Sequence, residues 1–297
     1  MFFSYIGTNS LLIRDKNTSI MIDPNFTRPG GILSPQYFIK SVAPNPLVIR
    51  NTLDKLGVNR LDAVLLTHTH IDHALDAPEV TKQTGAVLYG SHSAVLIGRG
   101  GGVKEDMLRE IADGTSIEIG DFKVTFYKSE HLPFPNIVKP LMNYKKEVDE
   151  ALSPPVRIAR FREGGSYKIL IEHHHGTLLV CSSGIDSNPA LLKADAISIC
   201  IGGLALRSEE YRERLFKKAV IDTGAKDIYM THWDKMSNSL DEPPEFLGRT
   251  HLVVDHFIKM TSRQEGINLY LPITWTTLRL FSPSKNSVWD RIKAFCS

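Results

Sequence analysis

An α/β fold is what this sequence predicts, and three observations carry that expectation. Short apolar, strand-like runs alternate with segments of helical character along the whole chain. A loop dense in histidine, Thr67-His68-Thr69-His70-Ile71-Asp72-His73, stands where a buried strand at 61–66 gives way to a helix at 74–84. In α/β folds that turn is where sites are built, because the strand fixes the turn and the turn faces a crevice. The strand-and-helix order also repeats loosely in two halves, with no linker, internal repeat or low-complexity stretch between them. One domain over residues 1–297 is therefore expected, although length alone also allows two small ones.

Taken in order, residues 2–6, 11–14 and 19–22 read as strands, with Asp15-Lys16-Asn17 as the turn between the last two and Asp23-Pro24 closing the third. Residues 25–45 are rich in Pro, Gly and Ser and carry Phe26, Tyr37 and Phe38; the stretch is too long for a simple turn, and it is read either as a cleft wall or as a surface loop pinned by its aromatics. A helix is expected over 46–56, with Pro46 in its first turn and Gly57 after it. Beyond the histidine loop and the 74–84 helix comes a strand at 86–89, and His92 is read as a surface or helix-start residue. Gly98-Arg99-Gly100-Gly101-Gly102 resembles a phosphate-cradling loop, but it lacks the trailing Gly-Lys-Ser/Thr and the preceding strand, so a flexible surface loop is expected. A helix is expected over 104–112, then a hairpin of 116–119 and 122–128 around Gly120-Asp121. The second hairpin strand delivers His131. Residues 132–155 contain five prolines and follow directly on that histidine, so they are read as a lid or specificity loop.

Strands are expected at 156–161, 167–172 and 177–181. His173-His174-His175 joins the last two; neighbouring strand residues point to opposite faces, so this triplet is read as an exposed hairpin tip and not as a site. The rest is read as a helix end at 190–194, a buried strand at 196–201, a helix at 208–222 and a strand at 227–230. A proline-containing loop at 241–248, a helix at 251–260 and a closing strand-like run at 267–281 complete the chain. Glu209-Glu210 suits the positive end of the 208–222 helix.

Composition narrows the function. A net charge of +2 and 42% hydrophobic residues describe an ordinary globular protein, with no field strong enough to imply nucleic acid or an anionic membrane surface as partner. The three cysteines, Cys181, Cys200 and Cys296, are too few and too scattered for a disulfide framework. The opening Met1-Phe2-Phe3-Ser4-Tyr5-Ile6-Gly7 lacks the basic region and apolar stretch of a signal peptide, and no apolar run reaches the ~20 residues of a membrane span. A cytoplasmic protein is expected. Oligomeric state is left open, a homo-oligomer included.

The histidine loop is the chemical centre. His68 and His70 are two apart, so in extended chain they point the same way, whereas Asp72 and His73 follow the bend and approach from another direction. One loop can therefore serve two adjacent metal ions, and its mixture of imidazole and carboxylate suits zinc, iron or manganese better than calcium or magnesium. His131 and His232 each stand just past a predicted strand and are further candidates.

This loop matches the His-x-His-x-Asp-His signature of the metallo-β-lactamase superfamily, and the resemblance extends over nearly the whole chain. Residues 1–24 look like the family's opening strands, ending in Ile22-Asp23-Pro24; His131 and His232 stand where the family places its third and last histidines. The resemblance is nearest to the broad branch of generic hydrolases that also holds the ascorbate-6-phosphate lactonases and the N-acylphosphatidylethanolamine phospholipase D enzymes. Within it, Glu163-Gly164-Gly165-Ser166-Tyr167 and Thr231-His232-Trp233-Asp234 look like those of a subgroup.

The resemblance implies a four-layer αββα sandwich with two divalent metal ions at one edge between the sheets, zinc first and manganese or iron next. It implies His68, His70 and His131 on one ion, and Asp72, His73 and His232 on the other. Asp72 would be the catalytic carboxylate, binding metal and orienting a metal-bound hydroxide. Asp23 would support a metal-bound histidine, the other reading being a simple turn cap. Trp233 would line a pocket, and Asp234 would support the site or touch substrate. The activity implied is hydrolysis of a phosphoester, lactone or amide-type bond in a small molecule, with Lys139, Lys145, Lys146 and Arg99 allowing an anionic one.

One feature departs from the family. Where a bridging aspartate is usual, the chain reads Ser182-Ser183-Gly184-Ile185-Asp186. Either the loop is reshaped so that Asp186 reaches the metals, or no carboxylate bridges them; the second is favoured, because a shift of one residue reverses a side chain's direction. Two alternatives stand beside the hydrolase: a mononuclear iron thiol or persulfide dioxygenase, which would tolerate the missing bridge, and a metal-binding protein that keeps the histidines without catalysis.

Overall fold

The computed structural model describes residues 1–30, 39–134, 139, 143, 145–182, 184–186 and 192–281. Two seven-stranded sheets face each other. The first contains β1 (Phe2–Gly7), β2 (Ser10–Arg14), β3 (Ser19–Ile22), β5 (Ala63–Leu65), β6 (Val87–Gly90), β7 (Leu108–Glu110) and β16 (Thr276–Arg279), in the order β16-β1-β2-β3-β5-β6-β7. The second contains β8 (Ser116–Ile119), β9 (Phe122–Ser129), β11 (Ser166–His173), β12 (Gly176–Cys181), β13 (Ala196–Cys200), β14 (Asp227–Thr231) and β15 (Asn268–Tyr270), in the order β15-β14-β13-β12-β11-β9-β8. A small ribbon pairs β4 (Ser41–Val42) with β10 (Val156–Arg157).

Each large sheet begins with antiparallel hairpins and continues with parallel strands, which is the loose two-fold repeat visible in the sequence. Strict alternation in the first sheet explains its nearly continuous apolar runs. Phe3, Tyr5, Leu11, Ile13, Ile20, Ile22, Ala63 and Leu65 enter the core between the sheets. Leu12, Met21 and Val64, one residue out of phase, face a second core under the outer helices. Strands buried on both faces lose the apolar–polar alternation of a half-exposed sheet.

Helices α1 (Pro46–Lys55), α3 (Ala77–Thr84) and α4 (His92–Gly100) cover that outer face, and α5 (Glu209–Phe216) and α6 (Thr250–Thr261) cover the second sheet. The result is the αββα sandwich. Among the described residues no helix is long and apolar enough to cross a membrane.

Several local expectations are corrected. The helix expected at 74–84 is two pieces, a single turn α2 (Ile71–Ala74) and then α3, which restarts with Pro78 in its first turn. The break lets Asp76 turn inward, where its carboxylate accepts the backbone N–H groups of Phe26 and Thr27 at 2.6 and 2.7 Å. The helix expected at 104–112 is a short 3-10 turn followed by β7. The glycine-rich 98–102 stretch is the end of α4 and not a flexible loop. A Cβ at Gly98 would meet Leu108 and Leu88, and one at Gly100 would meet the Leu152 backbone, so these glycines allow close packing. Arg99 is engaged with Glu105 on the surface. Within 132–155, Val148 and Leu152 are buried in the outer core and Glu147 accepts a hydrogen bond from Ser93 at 2.7 Å, while 135–138, 140–142 and 144 lie outside the described residues, as do Tyr37, Phe38, Ser183, 190–191 and Cys296.

Candidate metal centre

The C-terminal ends of β3, β5, β9 and β14 meet at one edge of the sandwich, and each delivers a polar side chain there. The two large sheets supply them in equal measure, so the site lies in the seam between the two sheets. His68, His70 and His131 bring their ring nitrogens within ligand-sharing reach of one another, and so do Asp72, His73 and His232. The first three rings stand 4.8–4.9 Å apart, centroid to centroid, with edges turned to one another. In the second group Asp72 Oδ2 lies 2.9 Å from His232 Nε2 and 3.4 Å from His73 Nε2. The six residues named from the sequence are thus together, and the rings of His68 and His73, 3.8 Å apart, join the two groups.

The hydrogen bonds behind these side chains set which nitrogen faces the centre. Asp23 is fully buried, and its backbone has the positive φ of 44°, so its carboxylate turns under the histidine loop. One oxygen accepts the Thr67 backbone N–H at 2.8 Å. The other accepts Asn9 Nδ2 at 2.8 Å, the Thr67 hydroxyl at 2.5 Å and His73 Nδ1 at 2.8 Å. A carboxylate only accepts, so His73 carries its proton on Nδ1 and Nε2 faces Asp72. The Thr67 hydroxyl has one proton and gives it to Asp23. It therefore accepts from His68 Nδ1, 3.1 Å away, which leaves His68 Nε2 as the lone-pair nitrogen. His131 Nδ1 donates to the Leu132 carbonyl at 3.0 Å, with the same consequence for its Nε2. Asp23 is therefore a positioning carboxylate for two ligand candidates and not merely a turn cap.

His232 is held differently. Its backbone sits at φ 57°, its N–H donates to the Thr8 carbonyl, and Gly202 leaves space for the ring, since a Cβ there would stand 2.5 Å from His232 Nδ1. Asn9 ties the two halves together, donating to Asp23 and accepting the Thr231 hydroxyl at 2.9 Å. Asn9 was not singled out from the sequence; its only signal there is the Gly7-Thr8-Asn9 turn between two apolar strands. Glu163 was quoted only as part of a motif. It is buried, its carboxylate accepts from Ser166 and from the Lys145 backbone, and its carbonyl accepts the Thr69 N–H at 2.8 Å, so it braces the histidine loop from the far side.

Burial, followed by the neighbouring His73, His131 and His70, holds His68 well below the usual histidine range, and burial likewise lowers His131. Both are neutral near pH 7, which is the metal-binding form. Burial alone would lower His73 as well, but the Asp72 and Asp23 carboxylates outweigh it and raise His73 to about 10. For Asp72, burial works upward and is outweighed by His73 and His232, so its carboxyl stays well below the ordinary range. Five imidazoles and one carboxylate converge in a buried seam, with the Nδ1 atoms of His68, His73 and His131 held by Thr67, Asp23 and the Leu132 carbonyl, and this is a donor set that fits borderline divalent cations.

The reshaped segment after β12 does not enter this set. Asp186 turns away: it accepts from Ser129 Oγ at 2.8 Å and the Glu130 N–H at 2.9 Å, and it pairs with Lys168 Nζ at 2.5 Å. Ser182 Oγ donates to the Glu130 carbonyl at 3.0 Å. Gly184 is required here, because a Cβ would overlap that carbonyl. The reading in which Asp186 still reaches the metals is thereby corrected. The segment instead buttresses the chain just before His131.

Other candidates also move. Trp233 is buried, donates to the Pro272 carbonyl at 2.9 Å and packs at a tilt against Phe246. Asp234 is buried against Arg28 at 2.9 Å and accepts from Tyr5 and the Thr8 N–H, so it supports the His232 turn and is closed to substrate. His92 begins α4 at the surface, 2.8 Å from Glu110.

An αββα sandwich with this donor set at its seam defines the class. Residues 5–253 match the model of the metallo-beta-lactamase superfamily, and the chain belongs to it. Among curated relatives, it is 27% identical over 127 residues to a UPF0173 protein of Pyrococcus furiosus, covering 43% of this chain and 48% of that one. It is 37% identical over 70 residues to a UPF0173 metal-dependent hydrolase of Methanopyrus kandleri, covering 24% and 30%. The chain thus spans at most about half the length of these relatives. Among solved structures, an isothiocyanate hydrolase from Delia radicum gut bacteria superposes with a TM-score of 0.57 at 16% identity, covering 94% of this chain and 99% of that one. A metallo hydrolase from Ignicoccus hospitalis gives 0.56 at 15% identity, with 94% and 98% covered. Those two likenesses are likenesses of fold.

Proposed function

We propose that the chain is a metal-dependent hydrolase of a small molecule, acting on a phosphoester, lactone or amide-type bond. The observation that carries this reading is the pair of converging donor groups, three histidines of which, His68, His73 and His131, are aimed by a partner on Nδ1. The relatives named metal-dependent hydrolases support it. His68, His70 and His131 would hold one divalent ion and Asp72, His73 and His232 a second, zinc being the first candidate and manganese or iron the next. A cation so held lowers the pKa of its water toward about 7 and polarises the bond to be broken.

The chain's own residues do the rest. Asp23, directly and through Thr67, keeps His73 and His68 in the tautomer that offers Nε2. Asp72 is the only carboxylate of the six, and its Oδ2 faces both His73 and His232, so it binds and orients the nucleophile. Lys139, Lys145 and Lys146 belong to the segment following His131 and favour an anionic substrate. The buried Cys181, which forms no disulfide, agrees with a cytoplasmic setting. An Asp72→Ala variant is expected to remain folded and lose hydrolysis of a panel of phosphodiesters, lactones and amides; unchanged turnover removes Asp72 from the mechanism.

A second reading has its own observation. Neither Ser182 nor Asp186 supplies a bridging carboxylate, and that favours a single dominant ion, as in an iron thiol or persulfide dioxygenase. One iron per chain together with thiol-dependent oxygen uptake would decide for it.

A further inference from the structure

At the opposite end of the sandwich, three hairpin turns meet: Asp15 between β2 and β3, Asp121 between β8 and β9, and His173-His174-His175 between β11 and β12. Strand β9 separates this end from His131 by roughly 30 Å, at about 3.3 Å per residue. The triplet is not the simple exposed tip expected from the sequence. The His173 side chain is fully enclosed, while His174 and His175 are exposed.

The His173 and His175 rings are stacked at 4.9 Å, His174 is tilted against each of them at 4.0 Å, and their nitrogens lie within reach of one shared ion. His173 Nδ1 stands 3.1 Å from His175 Nδ1. That separation suits two nitrogens side by side on one cation, each at about 2.0–2.1 Å. The 3.3 Å contact from the His175 N–H makes His173 Nδ1 the lone-pair nitrogen, and an ion bound there takes that lone pair in place of the N–H. The proton then sits on Nε2, which is buried without a hydrogen bond and has Asp15 Oδ2 at 3.4 Å. Asp15 is itself fixed, its other oxygen accepting the N–H groups of Asn17 and Thr18 at 2.8 and 2.7 Å. A carboxylate behind a histidine whose far nitrogen faces two more imidazoles is the arrangement that aims a metal ligand.

We propose that His173, His174 and His175 form a separate binding site for a borderline divalent cation such as zinc, nickel or copper(II), with Asp15 as the positioning carboxylate. All-imidazole donors select these ions over calcium and magnesium. Occupation draws the Nε2–H of His173 onto Asp15 and so ties the β11–β12 tip in the second sheet to the β2–β3 turn in the first. This site does not depend on the function proposed for the seam.

The test is equilibrium dialysis of the full chain against zinc, followed by elemental analysis, for the unaltered protein and a His174→Ala/His175→Ala variant. The substituted side chains are exposed turn residues, and circular dichroism checks the fold. The variant is expected to bind one zinc fewer per chain, and copper(II) added to the unaltered protein is expected to show imidazole-nitrogen hyperfine structure that the variant lacks at this site. An Asp121→Asn variant is expected to keep the ion. Equal zinc in the unaltered protein and the histidine variant overturns the proposal. So does loss of the ion on Asp121→Asn with retention in the histidine variant, which would move the ion to the Asp15–Asp121 side of His173.

Discussion

Replacing Asp23 by asparagine probes the site through a residue that reaches no substrate. The amide has the carboxylate's shape but only one accepting oxygen. Asp23 accepts four hydrogen bonds, three on one oxygen and the Thr67 N–H on the other. With the amide oxygen on the three-donor side, the NH2 faces the Thr67 N–H, and a buried donor left unpaired costs about 1–3 kcal/mol. The opposite orientation sets the NH2 against three donors and is worse. Either way the chain loses the charge that fixes the Nδ1 proton of His73, and it strains the Thr67 hydroxyl that fixes His68. Loss of such outer partners typically weakens metal affinity by about 10–100-fold, or roughly 1.4–2.7 kcal/mol, which agrees with the unpaired-donor cost. Competition of Asp23→Asn with a chromogenic chelator for zinc is the assay, with Asn9→Ala, which removes a single donor to Asp23, as the milder comparison. Zinc affinity unchanged within about two-fold in Asp23→Asn would refute the reasoning that tautomer control runs through this carboxylate.

Other expectations follow from the same contacts. In metal-free protein His73 is raised to about 10, so its contribution to stability is fully present below its unfolded value near 6.5 and is lost as pH rises through 10; chelator-treated protein should melt at lower temperature near pH 10 than near pH 6.5, and the reverse order would contradict the Asp72–His73–Asp23 arrangement. Asp186→Ala leaves Lys168 without its partner in a mostly buried position, a loss of about 3 kcal/mol by denaturant titration. A Lys168→Met/Asp186→Leu pair should recover most of that stability while still loosening the Ser129–Glu130 anchor, seen as faster amide exchange at Glu130; full protection there would show that the anchor is immaterial. Burial pushes the Cys181 thiol up to about 12, so a thiol reagent at pH 8 should label Cys181 only after unfolding, as read by peptide mass mapping.

Much of this was legible in the sequence because the loop that carries the chemistry is local. Four of the six donor candidates lie between His68 and His73, and the strand before them fixes their direction. His131 and His232 could be placed because each follows an apolar run that the structure keeps as a strand. What sequence reasoning could not see is pairing across long separations. Asn9 and Thr231 meet although 222 residues apart, and Arg28 meets Asp234 across 206. The broken helix at 71–84 was missed because its apolar period continues through the break, while the cause, the burial of Asp76 against Phe26 and Thr27, is tertiary. Residues 104–112 carry no strand signal of their own; Leu108–Glu110 is a strand because β6 offers it a free edge. His173 read as exposed because its two neighbours are, whereas Asp15 and Phe122 enclose it.

Two ions in the seam between the sheets are what the six donors are proposed to hold, and anomalous diffraction from crystals of protein purified without chelator tests this most directly. Data collected on both sides of the zinc, iron and manganese edges should give density about 2.0–2.2 Å from His68, His70 and His131, and again from Asp72, His73 and His232. Full metal content with no anomalous density within reach of these six residues would contradict it.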